Sequence, residues 1–432
     1  IKDFMIDNKM GDSGMEDNRI QDNRMEDKED YLSTLNERQL DAVTTTEGYV
    51  RIIAGAGTGK TKALTHRYAY LVNELGISTS NILCVTFTNK AAREMSKRIR
   101  QMIGDSDTGY ICTFHGFCVK LLREDIHAIN FPQNFVVMDD EDTEEILKTV
   151  YENAHIQSRT YTFDSARDHI TALKSQMLHI PYLAEIGNEK LLADYEKAEK
   201  VEDKVFLGYL YEQKKVYGLD YDDLITIALY ILQTDETKRI KWQERMMYVM
   251  VDEFQDVSNS QYALAEILSG YHRNLFIVGD PDQTIYTWRG AQIEYILEFD
   301  ETHENTRTIF LDMNYRSTPE ILAVSNSLIE KNKKRLPHRL EAYKESGRRP
   351  IYIHSRTTGD EAQWMTSEIQ RLVSEGVSYN EMAVLYRSHF VSRNIEESFI
   401  KAKIPYTLYS GVEFYKRKEI KDVLAYLRMI VY

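Results

Sequence analysis

Eight consecutive residues, Ala54-Gly55-Ala56-Gly57-Thr58-Gly59-Lys60-Thr61, have the composition of a phosphate-binding loop. An apolar run, Val50–Ala54, leads into them, and a helical pattern, Lys60–Leu75, leads out. That strand-loop-helix setting is what the motif needs. Glycines let backbone N–H groups curl around a β-phosphate without a Cβ clash. The helix N-terminus adds partial positive charge. Lys60 is placed to reach β- and γ-phosphates, and the Thr61 hydroxyl to ligate Mg²⁺. The implied cofactors are ATP and Mg²⁺. The strict pattern opens on Gly, whereas this chain has Ala54. The competing reading is a glycine-rich turn with no ligand.

Two further strand ends carry acids and amides. Tyr248–Val251 ends in Asp252-Glu253, followed by Gln255-Asp256. Asp252 is expected to hold Mg²⁺ directly or through water, and Glu253 to act as general base for an attacking water. An acid pair after a strand is weak alone, and gains force from the loop upstream and from Gln255-Asp256 following. Leu275–Val278 delivers Gly279-Asp280-Pro281-Asp282-Gln283. Gln283 reads either as a γ-phosphate sensor or as a turn-capping amide. Tyr286 and Trp288 follow within the same loop. Phe87 lies at another strand end, with Asn89 and Lys90 opening a helix. Aromatics beside basic and amide groups suit single-stranded nucleic acid, where stacking tolerates any base. With 29 Tyr, 15 Phe and 3 Trp, most rings must serve the core or plain surface. Trp288, between Thr287 and Arg289 after a turn, is unlike a core residue. Tyr286 either touches nucleic acid or buttresses Trp288.

Strands must carry these residues to one edge. Val50–Ala54, Asn81–Thr86, Tyr110–Thr113, Tyr248–Val251, Leu275–Val278 and Thr308–Leu311 read as strands, with helices such as Lys90–Ile103 between them. Alternation of this kind predicts an α/β fold with a parallel sheet. Residues 116–245 change to long helical patterns and read as a helical insertion. A further region from about 307–312 to 432 has expected strands at Ile351–His354 and Met382–Tyr386. Gly347–Pro350 reads as a loop rather than a linker.

The 432 residues suit several domains. A net charge of −14 argues against binding nucleic acid by bulk positive charge, but leaves room for a local track. Residues 1–30 hold ten acidic and five basic side chains. Within them, MIDNK, MGDSG, MEDNR, IQDNR and MEDKE form a five-residue repeat that matches neither helix nor strand. It reads as a disordered acidic tail or a partner-binding arm. No apolar run reaches membrane-spanning length and no secretory leader is apparent. Cys84, Cys112 and Cys118 fit no zinc or disulfide pattern and read as buried residues of a reducing cytoplasm. A start at Ile1 and a stop at Tyr432 within a helical pattern suggest a fragment.

Seven ordered segments together resemble the superfamily 1 helicases of the UvrD/Rep/PcrA group: Ala54–Thr61, Thr86–Met95, Thr113–Cys118, Val251–Asp256, Ile277–Ala291, Asn314–Ser317 and Ala383–Ser388. Phe414–Arg428 is similar to the PcrA branch. The resemblance covers about residues 33–432 and implies a RecA-like first domain (31–115 and 246–306). It also implies a helical insertion (116–245) and part of a second RecA-like domain (307–432). It implies that Gln39 reads the adenine edge, that Tyr315 stacks on adenine, and that Arg289 and Arg316 approach the γ-phosphate. Lys62 stands where the group commonly has Arg, which weakens stacking on the base. The resemblance further implies that Phe87 and Trp288 stack on bases and that Thr113 and His115 meet the DNA backbone. The implied activity is ATP-driven 3′-to-5′ movement on single-stranded DNA, from single/double-strand junctions, in repair and replication. Two other readings stay open: a phosphate-loop kinase, and an ATP- and DNA-binding module without full helicase activity.

Overall fold

The computed structural model describes residues 31–104 and 107–409; the pentad repeat and Phe414–Arg428 lie outside them. The described strands are β1 (Tyr49–Ala54), β2 (Ile82–Val85), β3 (Tyr110–Cys112), β4 (Val136–Val137) and β5 (Gly218–Leu219). They continue with β6 (Tyr248–Val251), β7 (Leu275–Gly279), β8 (Arg307–Leu311), β9 (Met313–Asn314) and β10 (Glu341–Ala342). Six form one sheet in the order β3-β2-β6-β7-β1-β8, with every pairing parallel. All six expected strands are present, with ends shifted by a residue or so.

Continuous apolar runs suit this sheet because helices cover both faces. Alternate residues divide between two cores. Ile53, Leu83, Val85, Val249, Val251 and Ile277 face one side, with helices Phe114–Asp125, Tyr221–Thr234 and Asn259–Ser269. Ile52, Ile82, Cys84, Met250, Phe276 and Val278 face the other, with helices Lys60–Asn73 and Asn89–Ile103. Cys84 and Cys118 are buried as expected, whereas Cys112 is only half-buried. Among the described residues no helix is long and apolar enough to cross a membrane.

The helical stretch after β3 divides its loyalties. Its first and later helices, with Trp242, belong to the sheet's own core. A separate core gathers Leu147, Val150, Ile170, Leu191, Phe206 and Tyr209. Between the two lies a buried polar knot. Lys174, fully buried, donates to Asp220 at 2.5 Å and pairs with Asp223 at 2.8 Å. Asp220 also accepts from the Tyr209 hydroxyl at 2.8 Å. The two acids form the capping box of helix Tyr221–Thr234. Burial pushes Asp223 up, as does its neighbour Asp220; Lys174 and Tyr209 hold Asp220 below its ordinary value against burial. Burial, then Lys174, pushes the nearby His179 down to about 3, so its ring is neutral at pH 7.

The chain divides into two compact units between Arg348 and Arg349, at the stretch that reads as a loop rather than a linker. β8 is the edge strand of the first sheet, beside β1. In the second unit, helices Thr358–Ser374 and Ser392–Lys401 meet through Ala362, Ile395 and Phe399. The strands expected at Ile351–His354 and Met382–Tyr386 do not form among the described residues. Met382, Val384 and Tyr386 do alternate inward while Ala383 and Leu385 face out. The pattern of a strand is therefore present without its ladder, because pairing is a property of two segments and periodicity of one.

Candidate functional site

Every strand of the six-stranded sheet points its carboxyl end to the same edge, where ligands of open α/β sheets collect. β1 releases the loop 55–59. Gly57 and Gly59 have φ of +74° and +89°, so both turns need glycine. A Cβ on Gly57 would stand 2.6 Å from Arg316 Cβ, and one on Gly59 would stand 2.6 Å from Gln39 Nε2. Thr58 Oγ1 donates to Gly55 O at 2.8 Å and locks the loop. Helix Lys60–Asn73 starts without a side-chain cap, which leaves its first N–H groups for an anion.

The lysine of this loop crosses β7 to reach the end of β6. Lys60 Nζ lies 2.9 Å from Glu253 Oε2. Glu253 sits in the left-handed region at φ +50°, which costs a non-glycine residue about 1–2 kcal/mol. Burial works to raise its carboxyl, yet Lys60 and the Gln255 amide hold it below the ordinary value. Asp252 differs. Burial, then the neighbouring Glu253 charge, pushes it up to about 6. Its Oδ2 accepts from Thr86 Oγ1 at 3.3 Å, while its buried Oδ1 has no hydrogen-bond partner. A buried carboxylate oxygen without a partner is a good seat for a hard cation. Asp252 therefore has the donor chemistry for Mg²⁺; Thr61 stands on the first turn of helix Lys60–Asn73, beside Lys60.

Two contributors escaped the sequence reading. Gln255, 2% exposed, donates through Nε2 to Glu253 Oε2 at 2.9 Å and accepts at Oε1 from Asp280 N at 2.9 Å. Buried Asn314 donates to Ala56 O, and its Oδ1 accepts from Arg316 N at 2.9 Å and Ser317 N at 2.7 Å. Asn314 thus fastens the Tyr315–Ser317 turn to the loop, and Tyr315 N donates to Gly57 O at 2.9 Å. The only hint in the sequence was position inside motifs; nothing local distinguishes these amides from turn caps.

The remaining expected contacts fall as follows. Gln39 is buried, and Nε2 donates to Thr58 O at 2.9 Å while Oε1 accepts from Asn36 N at 3.2 Å. It buttresses the loop through its capping box. Tyr315 OH accepts from Asn36 Nδ2 at 2.7 Å, and Lys62 Nζ donates to Thr34 O at 2.5 Å. Gln39, Lys62 and Tyr315 therefore all meet residues 34–36, or Gln39's own cap, on one side of the loop. Arg316 is exposed beside Gly57. The Arg289 side chain lies outside the described residues. Gln283 donates to Asp280 Oδ2, a turn-capping arrangement. A glutamine amide three residues from a buried carboxylate can reach it and satisfy it locally.

Aromatics line up on the same edge. Phe87 and Tyr286 stack with centroids 4.9 Å apart at 21°. Trp288 lies 6.4 Å beyond Tyr286, tilted at 52° and 72% exposed. Tyr286 thus backs onto Phe87. Asn89 is exposed on the first turn of the helix capped by Thr88. Thr113 is buried, and its hydroxyl caps helix Phe114–Asp125 by accepting from Gly116 N at 3.1 Å. His115 meets Tyr221 edge-on at 5.4 Å, and burial pushes its pKa down. These last two sit at the end of β3, the strand adjacent to β2 that leads to Phe87.

Comparison with known proteins agrees with this edge. The model of the UvrD/REP helicase N-terminal domain matches residues 35–304, and that of the UvrD-like helicase C-terminal domain matches residues 309–432. Two proteins named ATP-dependent DNA helicase PcrA are each 40% identical over 400 residues. They come from Staphylococcus aureus (strain Mu50) and Staphylococcus epidermidis (strain ATCC 12228). The match covers 92% of this chain and 54% of each relative, so the chain spans about half the length of the curated relatives it matches. A parallel sheet with a phosphate loop at its carboxyl edge, and family models matched along nearly the whole chain, lead to one statement: the chain belongs to the UvrD/REP helicase family.

Proposed function

We propose that this chain binds ATP with Mg²⁺ and single-stranded DNA, and couples hydrolysis to 3′-to-5′ movement that parts duplex DNA. One observation carries the reading: the Lys60–Glu253 pair and the Phe87–Tyr286–Trp288 row occupy one sheet edge, joined by the loop that leaves β7. Incoming phosphates compete for Lys60. Glu253, released from its ammonium partner, becomes a stronger base toward a water at the γ-phosphate. Thr61 and Asp252 would hold Mg²⁺, which when bound would supply positive charge against the phosphates. Arg316 and Arg289 would add their own positive charge there. Trp288, Phe87 and Tyr286 would hold bases, with Asn89, Thr113 and His115 along the backbone.

In domain terms, residues 31–115 and 246–306 are taken as a first RecA-like domain, 116–245 as its helical insertion and 307–432 as part of a second such domain, whose first strand, β8, pairs with β1 at the edge of the six-stranded sheet. Work at single/double-strand junctions in cytoplasmic repair and replication is the matching role, with proteins of those processes as partners.

Unwinding of duplexes with a 3′ or a 5′ single-stranded tail tests the reading. The expected result is ATP-dependent separation of the 3′-tailed duplex only. Preference for the 5′ tail contradicts the direction. Binding of ATP and DNA with no separation of either assigns the binding-module role instead. Trp288→Ala is expected to weaken single-stranded DNA binding by about 1–3 kcal/mol, the range for one stacked base. Unchanged affinity in a folded variant, measured by fluorescence anisotropy, removes Trp288 from the track.

A further inference from the structure

Gln255 stands between the hydrolytic acid and the start of the aromatic loop, and its amide has no freedom to turn over. Glu253 presents a carboxylate, which only Nε2 can serve, at 2.9 Å. Asp280 presents an N–H, which only Oε1 can serve, at 2.9 Å. Nε2 also faces Asp256 Oδ2 at 3.3 Å. The chain of bonds continues: Asp280 accepts from Gln283 through Oδ2 and from Asp282 N through Oδ1, the latter at 3.0 Å. Five residues beyond Gln283 comes Trp288. The far end of the loop is pinned to the same segment, because Gln292 N donates to Val257 O at 3.2 Å and Ser258 bridges Ala291. Room for the amide is built in. A Cβ on Gly279 would lie 2.5 Å from Gln255 Oε1 and 2.8 Å from Ile296 Cδ1.

We propose that Gln255 is a positioning residue that couples the Glu253 carboxylate to the loop carrying Tyr286 and Trp288. It passes the state of one to the other through the rigid Glu253–Gln255–Asp280 bridge. When phosphates take Lys60, Glu253 keeps Gln255 as its neutral partner, so any shift of the carboxylate pulls on Asp280 and the loop. In reverse, DNA seated on the loop sets the carboxylate's aim. This rests on the ATP and DNA reading above and adds the residue that links the two sites. Buried, fully satisfied amides transmit displacement well because no slack or water lies between partners.

The test measures ATP turnover with and without saturating oligo(dT), and oligo(dT) affinity with and without a non-hydrolysable ATP analogue. It compares wild type, Gln255→Leu and Gly279→Ala. Gly279→Ala removes no polar group, and its methyl presses chiefly on the Gln255 amide and on the flexible end of Ile296, with Gln255 N at 3.2 Å. Both variants are expected to keep nucleotide affinity near wild type and to lower the DNA-stimulation ratio by roughly 2- to 30-fold, the span of couplings carried by such networks. The analogue's effect on oligo(dT) affinity is expected to shrink in parallel. If turnover with and without DNA falls by the same factor in both folded variants, Gln255 merely supports the acid and the coupling role is overturned. If wild type shows no DNA stimulation, the helicase reading fails. The linkage between analogue and oligo(dT) then decides the relay by itself: a linkage unaltered by either substitution overturns it. Should Gln255→Leu fail to fold, Gly279→Ala decides alone.

Discussion

Glu253→Gln is expected to slow ATP turnover by roughly 10²- to 10⁴-fold, the usual worth of a positioned general base, and to leave ATP binding intact. The geometry explains the split between the two effects. The phosphate loop is built by Gly57, Gly59, Thr58 and Asn314, none of which touches the changed atoms. An amide at 253 keeps the shape and can still accept from Gln255, but it cannot take a proton from water. It also removes the charge that pairs with Lys60, so phosphates meet an unpaired ammonium. Affinity is therefore expected to stay equal or rise a few-fold, by the order of one weak ion pair. Single-turnover hydrolysis with a fluorescent ATP analogue as the binding probe measures both. Retained hydrolysis would remove Glu253 as the base.

Lys174→Met is expected to be the most damaging single change to stability, by roughly 3–5 kcal/mol. Lys174 is wholly buried between Asp220 and Asp223. Without the ammonium, two carboxylates face each other in the interior beside a neutral His179. Asp220 is also the N-cap of helix Tyr221–Thr234, which packs on the sheet core, so damage there spreads toward the site. The melting temperature should fall by roughly 3–6 °C, from an unfolding entropy of about 2.1 cal/mol/K per residue. Lys148→Met is the control: Lys148 pairs with Glu144 at an exposed surface, and its loss should cost no more than about 1 kcal/mol. A Lys174→Met protein that melts with the control would contradict the account of the knot. Adding Asp223→Leu should recover part of the loss, since an apolar replacement no longer needs the ammonium.

The sheet was legible because its four inner strands are buried on both faces. Each appears as a short, almost continuous apolar run ending in Gly, Thr or Asp, and the ends fall within a residue of those runs. The phosphate loop and the acids at 252–253 were legible for the same reason: they are local words at strand ends. What pairs with what was not. That Lys60 meets Glu253 depends on β7 lying between β1 and β6, a fact of strand order. That Ile351–His354 and Met382–Tyr386 carry no ladder depends on partners elsewhere in the chain. Gln283 shows the limit in miniature. A glutamine three residues after an aspartate has a local partner within reach, and in this structure takes it. Gln255 and Asn314 are the converse: amides with long-range partners, which spacing alone cannot reveal.

The central claim is that the phosphate loop and the aromatic edge work as one machine. Steady-state ATP turnover of wild type and Lys60→Ala, each with and without saturating single-stranded DNA, addresses it most directly. DNA is expected to raise the wild-type rate, and Lys60→Ala to abolish turnover in both conditions. Wild-type rates equal to those of Lys60→Ala, with DNA and without it, would contradict the account.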